Sequence, residues 1–142
     1  MLQELEVNGQ IYYATIKSLD FIDQGLPSPE LRILSPFDNA IIQRQRLASL
    51  FEFDYQIECY VREAKRKYGD SCLPILRGNR FVARLDAKAA RKTGVFHVKK
   101  LYLGRSVKNR EVFLTALSDE IQRFAKFDCC TTEEIQAIQQ ME

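Results

Sequence analysis

An α+β fold is what this sequence predicts: several short, mostly antiparallel strands followed by a packing helix. Three observations lead there. Residues alternate between apolar and polar over short runs such as Gln10–Lys17 and Val95–Leu103. Turn signals, Asn8-Gly9 and Arg77-Gly78-Asn79, separate such runs closely enough for hairpins. From Lys108 to Phe127 the period changes: Phe113, Leu117, Ile121 and Phe124 recur at helical spacing. Strands followed by a helix, rather than strands alternating with helices, is the α+β arrangement.

Taken in order, LQELEV, Asn8-Gly9 and QIYYATIK read as a hairpin, because Asn-Gly supplies the positive φ angles of a type I′ turn. Ser18 to Gln24 reads as a short helix with Ser18 as N-cap and Gly25 as stop. Pro27-Ser28-Pro29 reads as a stiff connector, and LRIL as a short strand halted at Ser35-Pro36. A helix over part of Ser35–Tyr55 would place Leu47, Leu50 and Phe51 on one face. Gln56 to Tyr60 alternates like a strand, and Lys65 to Gly69 is a basic loop. Cys72–Leu76 and Arg80–Leu85 read as two strands. In the second, Phe81, Ala83 and Leu85 share one face and Arg80, Val82 and Arg84 the other. Ala87 to Thr93 reads as a basic connection to the strand Val95–Leu103. Thr131 and Glu134 form a capping-box pattern for a last short helix ending at Gln140.

At 142 residues and 46% hydrophobic content, the chain suits one domain with a real core. It has no apolar run of transmembrane length, and MLQELEV resembles neither a signal nor a transit peptide, so no membrane partner and a cytoplasmic location are expected. The four cysteines contain no CxxC pair and His97 is the lone histidine, so reduced thiols and no metal or other cofactor are expected.

The net charge of +2 conceals a segregation. Met1 to Val61 carries a net −5, Arg62 to Arg110 a net +12, and Glu111 to Glu142 a net −5. A basic block between acidic flanks suits an anionic partner, of which nucleic acid is the commonest; charges spread over both faces of a sheet would give the same count.

No GxGxxG, P-loop or GxSxG motif is present, and no Ser/His/Asp or Cys/His set can be assembled from residue order. The basic block is more informative. Arg77 and Arg80 flank a turn, where they would project from a hairpin tip. Arg84, Asp86 and Lys88 follow at a spacing of two, on one side of a continuing strand. Lys65, Arg66 and Lys67, and Arg91 with Lys92, lie in loops at either end. Basic groups in such places can reach phosphates with little desolvation cost. Tyr68 and Phe81 are aromatics near them, with core packing the more ordinary use of Phe81.

Several blocks also resemble, in order and spacing, the C-terminal region of winged-helix DNA glycosylases of the AlkZ/YcaQ type. These proteins unhook interstrand crosslinks and remove bulky alkylated bases. The blocks are Ser35-Pro36-Phe37-Asp38, Arg44 and Arg46, Leu50 to Tyr55, Lys65-Arg66-Lys67-Tyr68-Gly69, Leu73 to Leu76, and Arg84-Leu85-Asp86-Ala87-Lys88, within residues 33–127. The resemblance implies a β-barrel-like domain with an appended helix, here residues 1–127, leaving 128–142 as a short helical tail. It marks Asp38, Arg44, Arg46, Tyr68 and Asp86 as family-motif positions, and DNA as partner. The Leu73–Leu85 hairpin is the element expected to reach the DNA. Ala83 departs from the family's usual Gly, and Gln43 and Gln45 from its acidic and basic residues. The family's catalytic Gln-x-Gln or Gln-x-Asp belongs to an N-terminal winged-helix region that these residues do not match, so no catalytic residue carries over. Gln43 and Gln45 imitate that motif, but residues two apart on a helix point about 200° apart.

The expectation is therefore a non-catalytic, DNA-contacting domain of a glycosylase-like DNA-repair protein, with winged helices supplied by another chain or domain. The alternative is a freestanding protein-interaction or oligomerisation module without DNA binding. A complete enzyme in this length is the remaining reading.

Overall fold

The computed structural model describes residues 1–25, 30–132 and 134–141, so the Pro27–Pro29 connector lies outside the described residues. Strands β1 (Leu2–Val7) and β2 (Gln10–Thr15) form a separate antiparallel hairpin. Asn8 and Gly9 both take positive φ, 52° and 77°, as a type I′ turn requires. Helix α1 (Ile16–Asp23) begins earlier than expected. Thr15, not Ser18, is its N-cap, and the Thr15 hydroxyl accepts from the Ser18 N–H at 3.2 Å.

The main sheet runs β3 (Leu31–Ile33), β4 (Cys72–Arg77), β5 (Arg80–Ala90) and β6 (Val95–Leu103), all antiparallel. It curls into a half-barrel and carries helix α4 (Arg110–Phe127) on one face. Phe113, Leu117, Ile121 and Ala125 of α4 pack there on Ile75, Ala83, Leu85, Val98 and Leu101. The buried Glu120 carboxylate pins the helix to the sheet, accepting from the Ile33 N–H at 2.8 Å and twice from Arg123.

The opposite face is covered too. Helices α2 (Asn39–Ile42) and α3 (Arg44–Phe51) supply Ile41 and Leu47 to a second cluster with Phe53 and Tyr55. Gln56 to Tyr60, expected as a strand, is irregular chain within this cover. Strand β5 thus has both faces covered, and residues 82–87 are buried without a break.

Two bulges decide which face each β5 and β6 residue takes. Ile75 pairs with Ala83 but Leu76 with Phe81, leaving Val82 as the extra residue. The insertion moves Phe81 off the face of Ala83 and Leu85, where simple alternation had put it. Phe81 instead stacks on Phe53 at 4.6 Å in the second cluster. The second bulge falls opposite Asp86 and Ala87 and leaves Lys99 extra on β6. Strand β5 also runs on to Ala90, so the expected basic connection at Ala87–Thr93 is largely strand.

The expected helical tail is a further correction. Two short strands, β7 (Thr131–Thr132) and β8 (Ile138–Gln140), run parallel to β6 instead. The outer edge of β6 offers unpaired backbone groups, and the tail meets them: Leu101 N–H donates to the Ala137 carbonyl at 2.9 Å and Met141 N–H to Leu103 at 2.7 Å. A helix this short is marginal in water, so pairing with an open edge outweighs a capping box.

Candidate nucleic-acid interface

Arg77 and Arg80 face each other across the last ladder position of the β4–β5 hairpin, and both are exposed with Gly78 and Asn79. Gly78 has a φ of 61° at the first turn position, where a type II′ turn requires glycine. The tip therefore presents two guanidinium groups to solvent. Lys88, Arg91 and Lys92 are exposed at the far end of β5, with Arg91 3.3 Å from the Asp128 carboxylate. At about 3.3 Å per residue, Arg80 and Lys88 are roughly 26 Å apart along the strand.

Arg84, placed among the DNA contacts by its spacing, is not at the surface. It is 7% exposed, with its guanidinium 4.2 Å from the Phe53 ring centre and 4.3 Å from that of Tyr68, and it donates to the Asp54 carbonyl. Its face of β5 is the one that residues 53–71 fold over. Arg84 and Lys88 look alike in sequence, but only Lys88 lies beyond this cover.

The loop Lys65–Gly69 is held by a carboxylate that sequence reasoning missed. Glu58 accepts from the backbone N–H groups of Lys67, Tyr68 and Gly69 at 2.9, 2.7 and 3.0 Å. Its position some ten residues upstream leaves no periodic signal. Lys65 and Lys67 point outward, while Arg66 is half-buried and donates to the Val61 carbonyl at 2.8 Å. Tyr68 bridges inward, edge-on to Tyr102 at 5.1 Å.

Asp86 lies beneath this loop, 8% exposed, and its Oδ1 has no hydrogen-bond partner. Gly69, with φ at 109°, closes over it; a Cβ there would come within 2.2 Å of Asp86 Oδ2. Burial pushes the Asp86 carboxyl above its usual range and Asp70 adds to this, against Lys99, the Ser71 N–H and Arg66. The folded state then holds the proton more tightly than the unfolded one. Stability contributed by this group is greatest below the ordinary aspartate value of about 3.9 and falls as pH rises through the raised value. Asp86→Asn is expected to melt above the wild type at neutral pH, with the gap closing on acidification. Thermal denaturation across pH checks this; a variant less stable at every pH would refute it.

The other family-motif residues are structural as well. The Asp38 Oδ1 caps α2, accepting from the Ala40 N–H at 2.8 Å. Arg44 donates to the Ile41 carbonyl at 2.6 Å and lies 4.7 Å from the Tyr55 ring centre, and Arg46 donates to the Asn39 carbonyl. Together they hold the break between α2 and α3. Gln43 sits at that break with extended angles, φ −91° and ψ 92°, so it does not share a helix with Gln45 as expected. Both line an open groove of about 1010 Å³ against Gly9–Tyr13, and both are exposed. Among the described residues, no group of three His, Cys, Asp or Glu could hold a metal ion, and no helix is long and apolar enough to cross a membrane.

This frame of half-barrel, motif turns and capping helix is the part that comparison with known proteins recognises. The model of a family described as AlkZ-like, DNA glycosylase AlkZ-like, matches residues 2–127. The chain belongs to the AlkZ-like DNA glycosylase family. The match begins in the β1–β2 hairpin and ends with α4, so it includes every motif turn described above. Among solved structures, the DNA glycosylase AlkZ of Streptomyces sahachiroi is similar at 11% identity and a TM-score of 0.45, over 99% of this chain and 33% of that one. This AlkZ-like chain thus spans about a third of that glycosylase's length.

Proposed function

We propose that this chain is a DNA-contacting part of an AlkZ-like DNA-repair glycosylase and contributes binding rather than the chemistry of base release. Arg77 and Arg80 at the hairpin tip, Lys65 and Lys67 in the Glu58-held loop, and Lys88, Arg91 and Lys92 at the far end of β5 meet the phosphates. Arg66 has a secondary role. Base release then falls to winged-helix domains elsewhere in the protein or in a partner.

One observation carries the reading. Of nine basic residues selected by pattern, seven are exposed, and they sit on a turn, a latched loop and a strand end, with Arg91 also paired to Asp128. Their spread along β5, roughly 26 Å, is commensurate with about eight phosphates of one DNA strand. Duplex binding is expected to weaken steeply with salt, log K falling against log salt with a slope of about −5 for six contacts. Fluorescence anisotropy over a salt series measures this. Absence of binding at low salt would sink the proposal.

The interaction-module reading has its own support in the first hairpin and helix, where Leu2, Ile11, Tyr13, Phe21 and Ile22 are exposed. Self-association by a chain that ignores DNA would favour it.

A further inference from the structure

A cavity of about 480 Å³ opens beside the Lys88 end of β5, between the sheet, the Ser35–Phe37 turn and the C-terminal end of α4. Its size falls within the range of small-ligand sites, about 300–1,000 Å³. Two of its lining residues are phenylalanines left largely in water, Phe37 at 73% exposed and Phe127 at 81%. Single exposed apolar side chains are ordinary. Two on one cavity, with Phe124 behind them and Lys88 and Arg91 also lining it, are a combination with a chemical meaning. Aromatic faces flanked by cations are how proteins hold an unpaired nucleotide, the base stacked and the phosphate neutralised. The Ser71 hydroxyl and the Asp70 and Asp128 carboxylates also line the cavity and can accept from base N–H groups. The Arg91–Asp128 pair is no obstacle, since Arg91 is largely exposed and meets Asp128 through one terminal nitrogen, which leaves other guanidinium N–H groups for a phosphate.

We infer that this cavity binds a single unstacked nucleobase, with Phe37 and Phe127 as stacking surfaces and Lys88 and Arg91 on the adjoining phosphates. The inference rests on the DNA-contacting reading and adds a site to it. Nothing about base release is implied, because the cavity is a place of capture.

Three probes separate the possibilities: a fully paired duplex, the same duplex with one unpaired adenine, and deoxyadenosine monophosphate followed by NMR at the phenylalanine rings. The unpaired adenine is expected to raise affinity about tenfold, as one stacked base does. Phe37→Ala and Phe127→Ala together are expected to remove that preference and leave paired-duplex affinity in place. Both side chains are exposed, so the fold should tolerate the change. Equal affinity for the two duplexes, or a preference that survives both substitutions, overturns the cavity assignment. If the paired duplex does not bind but the mononucleotide shifts the ring signals, the cavity stands and the duplex reading falls. If neither binds, both fall.

Discussion

Replacing Arg84 with alanine is expected to destabilise the domain by about 3 kcal/mol. The guanidinium fills the gap between the Phe53 and Tyr68 rings, at 4.2 and 4.3 Å. Desolvated contacts of this kind contribute up to about 2 kcal/mol each. The bond to the Asp54 carbonyl adds a charged hydrogen bond, roughly 1.5–3 kcal/mol. Against these stands the cost of a buried charge whose Nε has no partner. The truncation also opens a cavity between two aromatic rings. Arg84→Lys is expected to recover little, because an ammonium cannot lie flat against two ring faces. Chemical denaturation at neutral pH gives the number, and a loss below about 1 kcal/mol would show that the rings close over the gap. Per folded molecule, DNA affinity is expected to be unchanged, which separates Arg84 from the exposed arginines.

The second large effect belongs to the hairpin tip. Arg77→Ala with Arg80→Ala is expected to lower duplex affinity on the order of fiftyfold near 0.1 M salt and to reduce the salt slope by about two. Stability is expected to hold or to rise by a few tenths of a kcal/mol, about the size of a cross-strand pair. The two arginines are direct partners across the ladder, and like charges placed opposite each other repel. A repulsive pair at an exposed tip makes sense where an anion relieves it. Titration and denaturation of the same preparation check both halves; unchanged affinity would remove the tip from the interface.

The placement of the basic side chains is only partly legible in the sequence. The exposed position of Arg77 and Arg80 follows from the turn between them, since a two-residue turn puts its flanking side chains at the end of a hairpin whatever the rest of the fold does. The Lys65–Lys67 loop was found from charge and its glycine, but not its latch: Glu58 acts through backbone N–H groups, which any sequence supplies. Phe37 and Phe127 lie 90 residues apart in the chain, and nothing local says that they line one cavity.

By itself, the sequence determined what depends on near neighbours. The type I′ turn at Asn8-Gly9, the apolar stripe of α4, the strands β3 to β6 and the motif blocks of the AlkZ-like family all follow from short-range spacing. Long-range packing decided the rest. An extra residue at Val82 turned Phe81 to the other face, the chain from Phe53 to Ser71 buried Arg84 and Asp86 while leaving Lys88 in water, and an open edge of β6 drew the tail into strands. The physical reason is common to all three. Burial and edge pairing are properties of surfaces that exist only once distant segments have met, so two basic residues at the same spacing on one strand can end one buried and the other in water.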